Sequence, residues 1–160
     1  MDLLAADESS TLEFKSSARY NVHTKQPDKT LELGVVKTVA GFMNAHGGTL
    51  LIGVNDGREV HGLEKDYATI KRRDRDGYEN WLTTLLETAL GKPAAANAPI
   101  RFESLDAGDV CRIDVEPGKS PVFVKLSKED ADFYVRLNNS TRLLNTSDAM
   151  EYTRAHWGRG

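Results

Sequence analysis

The run TLLIGV at residues 49–54 is the feature that most constrains the fold, because it is apolar almost throughout and half of its residues are β-branched. A strand with one face in water alternates apolar and polar residues, whereas a short continuous apolar run is typical of a strand buried on both faces. Gly47 and Gly48 precede the run, and the tight-turn sequence NDG follows it. TLLIGV therefore predicts a central strand of a covered sheet.

Other segments of regular structure are expected on both sides of this strand. Residues 12–15, LEFK, alternate apolar and charged side chains, as a half-buried strand does. Residues 29–45 and 67–90 carry apolar residues at helical spacing, and Asp28 is the expected N-cap of the first helix. EVHGL, separated from the NDG turn by Arg58, is typical of a short return strand.

The second half of the chain is dominated by strands. Four strand-like runs are separated by turn residues, namely PIRFESL, DVCRIDVEP, SPVFVKL and ADFYVRL. A closing helix is expected from Ser147, its N-cap, to Trp157. The chain has 160 residues, the length of one domain. The order of elements predicts the α/β (α+β) class: a single compact domain, residues 1–160, with a mixed β-sheet flanked by helices.

Composition excludes several classes of function. The single cysteine, Cys111, excludes a disulfide framework and a cysteine zinc finger within one chain, and a small buried residue is expected there. No apolar run reaches the roughly 20 residues that span a bilayer, and no secretory signal is evident, so a cytoplasmic protein without a membrane partner is expected. NAHGG, residues 44–48, lacks the Lys and Ser/Thr of a P-loop, so it predicts a helix C-cap and no nucleotide cofactor.

The charge balance bears on nucleic-acid binding. The net charge of -3 argues against binding by bulk electrostatics, so that any contact with phosphate must be local. In KRRDRDG, residues 71–77, aspartates dilute the basic residues, which favours a solvated helix start. The four histidines have no recognisable metal spacing, and His46 and His61, which flank the central strand, are the two that merit testing.

Several motifs in order resemble one known family. ESSTLEFK, VAGFMNAHGGTLLIGVNDGREVHGL, PVFV and FYVRLNNSTRLL together resemble the Schlafen AlbA_2 domain over residues 8–152, which leaves 153–160 as a C-terminal tail. The resemblance implies a small α/β domain that binds nucleic acid. Because animal Schlafen proteins cleave structured RNA, the resemblance further implies that activity.

The resemblance also implies a set of acidic site residues. The two glutamates of the family's E-x4-E pattern fall on Glu8 and Glu13, and its third acid falls on Asp56. Three carboxylates in one place repel one another or bind a divalent cation, and hard oxygen ligands suit Mg²⁺ or Mn²⁺. Lys15, on the same strand face as Glu13, is expected to neutralise the phosphate that is cleaved.

The five-residue separation of Glu8 and Glu13 limits how these two acids can share a site. Residues five positions apart lie on opposite faces of a strand and about 140° apart on a helix, so Glu8 and Glu13 converge only if the chain bends near Ser9 and Ser10. The alternative is that Ser10 and Glu13 form a capping box, that Asp56 merely favours its turn, and that Glu8 is solvated.

FYVRLNNSTRLL supplies the remaining site candidates. In the family this segment helps form the surface that faces nucleic acid, which points to Tyr134, Arg136 and Arg142 together with Lys15. Arginine and tyrosine can bind phosphate and stack on bases. The alternative is an ordinary strand face with an arginine ion pair.

Three functions remain open at this level. The first is a nucleic-acid-binding Schlafen-like protein that acts as a metal-dependent endoribonuclease on structured RNA such as tRNA. Because the animal enzymes clamp RNA between two lobes, a homodimer is then expected. The second is a non-catalytic DNA-binding or transcription-regulatory module, although this chain has no room for an added helix-turn-helix domain. The third is a protein-binding adaptor.

Overall fold

A computed structural model describes residues 2–158. Its helices are a 3-10 turn (Asp2–Ala5), α1 (Lys29–Met43), α2 (Glu64–Tyr67), α3 (Arg75–Leu90), α4 (Lys92–Ala95) and α5 (Thr146–Trp157). Its strands are β1 (Leu12–Lys15), β2 (Tyr20–Asn21), β3 (Gln26–Pro27), β4 (Gly48–Ile52), β5 (Ile100–Leu105), β6 (Gly108–Val115), β7 (Val124–Lys125), β8 (Ala131–Leu137) and β9 (Ser140–Leu144).

The main sheet has the strand order β1-β4-β6-β5, in which β1 and β4 are parallel and the other pairs are antiparallel. β4 lies inside this sheet, and its last three residues are fully buried. Leu50 and Ile52 pack into the core formed with α1 and α3, whereas Leu51 belongs to a second cluster with Phe14 on the opposite face. The predictions of a central strand and of a mixed-sheet α+β domain are therefore confirmed.

α1 lies between this sheet and a second one made of β7, β8 and β9. The Asp28 carboxylate accepts a hydrogen bond from the Thr30 N–H at 2.8 Å, which confirms the predicted N-cap. Close packing of α1 on the second sheet depends on Gly41, because a Cβ there would lie 3.0 Å from Thr141 and 3.3 Å from the backbone nitrogen of Arg136. α1 thereby connects the two sheets.

The end of α1 is the C-cap that NAHGG predicts. The Gly47 N–H donates to the Phe42 carbonyl at 2.8 Å, and Gly47 has a φ of 78°, the left-handed conformation that favours glycine. A side chain at Gly47 would also collide with the Val115 carbonyl, 2.6 Å from the Cβ position. The turn then leads directly into β4.

Several predicted boundaries are wrong. The expected helix 67–90 is broken, because the Asp74 carboxylate accepts from the Gly77 N–H at 2.8 Å and starts α3 afresh. EVHGL forms only an isolated bridge between Val54 and Val60, and SPVFVKL contributes only the two residues of β7. β9 was not predicted; the left-handed conformation of Asn138, with φ 56°, makes the two-residue turn that pairs it with β8.

The C-terminal helix extends into the region expected to be a tail. Asn145, not Ser147, is its N-cap, since the Asn145 side chain accepts from the Asp148 N–H at 2.8 Å. The helix continues to Trp157, whose indole N–H donates to the Gly118 carbonyl at 2.9 Å. The helix therefore ends at Trp157, as predicted, so that residues 153–157 are helical and do not form a tail. Residues 159 and 160 lie outside the described part of the chain.

Two compositional predictions can be compared with the fold. Cys111 is fully buried on β6 with a free thiol, as expected. Within residues 2–158, none of the helices combines the length and the apolar character needed to cross a membrane.

Candidate functional site

The chain bends sharply where the two glutamates require it. The Ser9 N–H donates to the Leu12 carbonyl at 2.9 Å, and the Thr11 N–H donates to the Ser9 hydroxyl at 3.2 Å. The bend predicted near Ser9 and Ser10 is therefore confirmed, and it folds residue 8 back beside β1. The capping-box alternative is wrong, because Glu13 lies on a strand and not in the first turn of a helix.

Glu8 is held against the free edge of β1. One of its carboxylate oxygens accepts the Phe14 N–H at 2.9 Å. β1 is the edge strand of the main sheet and pairs there only with β4. The Phe14 N–H points away from β4, so without Glu8 it would have no partner strand to donate to. Glu8 therefore replaces a missing neighbouring strand and is not simply solvated.

The three acids share one electrostatic environment. Burial raises the pKa of Glu8 above its ordinary value of 4.5, and repulsion from Glu13 and Asp56 raises it further, whereas the hydrogen bond from Phe14 opposes the rise. Glu13 and Asp56 therefore both lie within electrostatic range of Glu8. The bend and the turn after β4 place the three positions implied by the family resemblance on the same side of the parallel strand pair β1 and β4, without grouping them as ligands of one ion.

The raised pKa of Glu8 makes stability depend on pH. The folded protein binds this proton more tightly than the unfolded chain does, so stability contributed by the protonated carboxyl is lost as the pH rises from about 4.5 through the raised pKa. We expect Glu8→Gln to remove this component of the pH dependence, while its amide oxygen still accepts the Phe14 N–H. Melting temperatures measured between about pH 4 and pH 7 check this.

A matched control is Glu151→Gln, which removes a glutamate from the exposed surface of α5. It should retain the pH profile of the wild type. If Glu8→Gln also retained that profile, Glu8 would not carry a raised pKa in the folded protein.

Arg136 organises the bend from inside the protein. Its side chain is only 1% exposed, and its guanidinium donates to one oxygen of Glu13. The same group donates to the Ser9 carbonyl at 2.8 Å and to the Leu12 carbonyl at 3.2 Å. One buried cation therefore binds both arms of the bend and the carboxylate that follows it.

This burial bears on the nucleic-acid role expected for Arg136 and Tyr134. Both are buried, because β8 is covered on its two faces: Tyr134 packs in the core with α1, whereas Phe133 and Val135 pack in a cluster with α5. The Tyr134 hydroxyl donates to Asp132 at 3.3 Å. In this structure the geometry of Arg136 is that of the ion-pair alternative, and neither side chain presents a surface to a ligand.

The two remaining cationic candidates do reach the surface. Lys15 is 25% exposed, with its Nζ 3.9 Å from the second oxygen of Glu13, which agrees with the prediction that the two share a strand face. Arg142 is exposed on β9, where its Nε donates to the Ser140 hydroxyl at 3.0 Å. Of the two, Lys15 lies directly beside an acid of the site.

Asp56 is exposed in the turn after β4. Asn55 shapes this turn, because its side-chain oxygen accepts the Glu59 N–H at 2.9 Å and its carbonyl accepts the Arg58 N–H, also at 2.9 Å. The Arg58 guanidinium then donates to Asp7 at 3.0 Å, which connects the turn to the segment that carries Glu8. No sequence motif indicated this role of Arg58.

The donor chemistry of the site suits a divalent cation, since three repelling carboxylates would gain from positive charge and hard cations prefer oxygen. The arrangement is not yet that of a metal centre: within residues 2–158, no three Asp, Glu, His or Cys side chains are grouped as ligands of one ion. Glu13 already pairs with Arg136 and Lys15. His61 contacts the amide nitrogen of Asn55 at 2.9 Å, and His46 lies beside His156.

Comparison of the fold with solved structures gives two similar proteins. The DIP2311 protein from Corynebacterium diphtheriae matches with a TM-score of 0.63 and 19% identity over 97% of this chain, which spans 31% of that protein. The N-terminal domain of an ATP-dependent DNA helicase RecG-related protein from Nitrosomonas europaea matches with a TM-score of 0.50 and 20% identity, over 91% of each chain. At these identities the likeness shows the fold alone.

Sequence comparison identifies the family. No curated protein matches the chain. Residues 8–145 match the family described as Schlafen, AlbA_2, a stretch that begins at the first acid of the bend and includes Asp56 and β8. Membership of this family indicates a function related to nucleic acid. With the bend, the three acids and this match in place, the chain belongs to the Schlafen AlbA_2 family.

Proposed function

We propose that this protein binds structured RNA and cleaves it as a metal-dependent endoribonuclease. The observation that supports this most strongly is the bend at Ser9, which holds the Glu8 carboxylate on the Phe14 N–H of β1 and so brings Glu8 back beside Glu13. Repulsion from Glu13 and repulsion from Asp56 both contribute to the raised pKa of Glu8. Asp56 lies in the turn after β4, and Glu13 lies on β1, the parallel neighbour of β4. Ligands of α/β proteins commonly bind beyond the carboxyl ends of such strands.

We assign the residues of this chain three roles: metal binding, phosphate binding and positioning. Glu8, Glu13 and Asp56 would hold Mg²⁺ or Mn²⁺, which supplies activation of water and stabilisation of the phosphodiester when bound. Lys15 would bind a non-bridging oxygen of the phosphate, next to Glu13. Arg136 would act as a positioning residue, because it holds Glu13 and the bend but is buried away from the ligand.

The charge of the site makes the cation central to binding. Three carboxylates repel a phosphate, and the chain as a whole carries a net charge of -3. Lys15 and Arg142 offer local positive charge at the surface. We therefore expect RNA to bind more tightly when a divalent cation is present than in EDTA.

The test uses labelled tRNA and duplex DNA, each incubated with the purified protein in Mn²⁺ or in EDTA. Wild-type protein should cleave the tRNA only in Mn²⁺. Glu13→Gln and Asp56→Asn should each lower the cleavage rate by about 100-fold or more, since even residues that only support metal ligands cost 10- to 100-fold when changed. Asp106→Asn, an exposed aspartate in the turn between β5 and β6, is the matched control and should cleave normally.

A second candidate function is nucleic-acid binding without cleavage, as in a DNA-binding or transcription-regulatory module. It is favoured by the ion pairs that Arg136 and Lys15 make with Glu13, because they occupy the oxygens a metal would need. Absence of cleavage by the wild type, with binding unchanged or improved after the acids are neutralised, would support this candidate and contradict the enzyme. Absence of binding to either nucleic acid would point to the protein-binding adaptor.

The expected homodimer and cytoplasmic location stay predictions. A dimer would place two copies of the acidic site along one groove, as two lobes do in the animal proteins. Sedimentation of the purified chain, with and without tRNA, measures this state directly.

A further inference from the structure

A separate cavity of about 460 Å³ begins at Ser16, which directly follows β1, the strand that carries Glu13. We call it the Tyr20 pocket. Its lining includes Ser16, Tyr20, Val22, His61 and Lys65. The volume falls within the roughly 300–1,000 Å³ of small-molecule sites, and the cavity is more enclosed than the groove between β8, β9 and α5. None of the roles proposed for the acids uses it.

Two direct connections join the pocket to the acidic site. Ser16 follows the last residue of β1, so at about 3.3 Å per residue it lies about 10 Å along the chain from Glu13. His61 contacts the side chain of Asn55 at 2.9 Å, and Asn55 immediately precedes Asp56. A polynucleotide whose backbone lies at the acids therefore has a neighbouring nucleotide within reach of the pocket.

The pocket wall is held in place before any ligand arrives. The buried Asp66 carboxylate accepts the N–H groups of Ala18 at 2.7 Å and Tyr20 at 2.8 Å. The Ser17 hydroxyl donates to the Tyr20 carbonyl at 2.6 Å. The backbone of Tyr20 is thus fixed on both sides, so that little backbone entropy is lost when a ligand binds.

The polar groups of the pocket can recognise the edge of a base. Because the side-chain oxygen of Asn55 accepts the Glu59 N–H, its amide nitrogen faces His61 and donates to the imidazole Nε2. A neutral His61 then carries its proton on Nδ1 and offers a donor there. Ser16 adds a hydroxyl to the same lining.

The charge of the pocket favours a neutral ligand over a free anion. Lys65 is the cation of the lining, and its Nζ lies 5.6 Å from the centroid of the Tyr20 ring. Glu64 and Asp66 belong to the same lining and offset this charge. A phosphate therefore gains little, whereas a flat neutral group can stack on the ring while exposed Lys65 turns towards the backbone of the same nucleotide.

We propose that the Tyr20 pocket binds an unpaired nucleobase of the RNA whose backbone lies at Glu8, Glu13 and Asp56. The proposal rests on the proposed binding of RNA, but not on cleavage. An aromatic ring in a partly enclosed site can stack only on a base that has left its helix, and polar groups read the edge that pairing would otherwise hide. The substrate class is accordingly RNA with an unpaired nucleotide beside the bound phosphate.

The test measures binding of a short single-stranded RNA and of a series in which one nucleotide at a time is abasic, in Ca²⁺ to limit cleavage. For the wild type, one abasic position should weaken binding by about 10-fold, the loss of one stacked base. Tyr20→Leu should bind the intact RNA about 10-fold more weakly and should show no further loss at that position. Tyr20→Phe keeps the ring and should behave as the wild type.

The outcomes separate the two proposals. If the wild type bound neither these RNAs nor tRNA, both the proposed function and the pocket would be overturned; if it bound tRNA but none of these RNAs, the pocket alone would be overturned. If it bound them but the abasic penalty were the same in Tyr20→Leu, the pocket alone would be overturned. A measurement that needs no variant is the NMR spectrum of the wild type: the Tyr20 and His61 ring signals should shift with intact RNA and not with the abasic RNA.

Discussion

Replacing Arg136 with methionine should lower the free energy of unfolding by about 3 kcal/mol, the low end of the cost of breaking a buried ion pair. The side chain is 1% exposed, and its guanidinium donates to Glu13 and to the carbonyls of Ser9 and Leu12. Methionine fills similar space but donates nothing, so one carboxylate and two carbonyls lose their partner. Glu13 is 18% exposed, and water reaching it keeps the loss from being larger.

Urea denaturation measures the loss, and Arg142→Met is the matched control. Arg142 lies on the neighbouring strand β9 but is exposed, so its replacement should change stability by no more than about 0.5 kcal/mol. In a Glu13→Gln background, Arg136→Met should cost less than in the wild type, because no charge is left unpaired. Equal costs in both backgrounds would show that Arg136 stabilises the fold without acting through Glu13.

Asp66→Asn is expected to have the second large effect, again about 3 kcal/mol of unfolding free energy. Asp66 is 1% exposed and accepts from the N–H groups of Ala18 and Tyr20 and from the Tyr78 hydroxyl at 2.6 Å. Burial, together with Asp66, holds the pKa of Tyr78 well above its usual range, so the hydroxyl stays a donor. In Asp66→Asn, the side-chain NH₂ group would replace one carboxylate oxygen and would face groups that are themselves donors, so at least one of those hydrogen bonds would be lost.

Thermal unfolding, together with the RNA-binding assay, checks this prediction. Tyr78→Phe removes one of the hydrogen bonds to Asp66 and should cost only about 1 kcal/mol. Asp106→Asn, in an exposed turn, should be neutral. A neutral Asp66→Asn would mean that other contacts hold the segment at residues 18–20, and the fixed wall of the Tyr20 pocket would need another explanation.

The elements that could be predicted are those with a strong local signal. β4 is continuously apolar, α1 has a helical period with an aspartate cap, and the NAHGG turn has its glycines; each was found where the sequence places it. The weaker elements depend on pairing. β7 and β9 are short, and β9 is extended because it lies beside β8. Local propensity alone does not distinguish such segments from loops.

The candidate site likewise has a part that could be predicted from the sequence and a part that could not. Family resemblance pointed to Glu8, Glu13 and Asp56, and the hydroxyl-rich residues between the glutamates indicated the bend that the structure contains. The partners that hold the bend lie far away in sequence: Arg136 comes from β8 and Arg58 from the turn after β4. Arg136 was expected at the surface because the family resemblance implies that its segment faces nucleic acid, but α1 and α5 cover both faces of β8.

The sequence by itself determined the fold class, the central strand and the cap of α1, because each depends on residues that are close in the chain. Motifs in the same order as the family's pointed to the three acids. Only the tertiary structure decided which charges are buried and what they hold. Arg136 at the bend and Asp66 at the Tyr20 pocket each join segments dozens of residues apart. Their roles follow from packing: a buried charge must find partners wherever the fold brings them within reach.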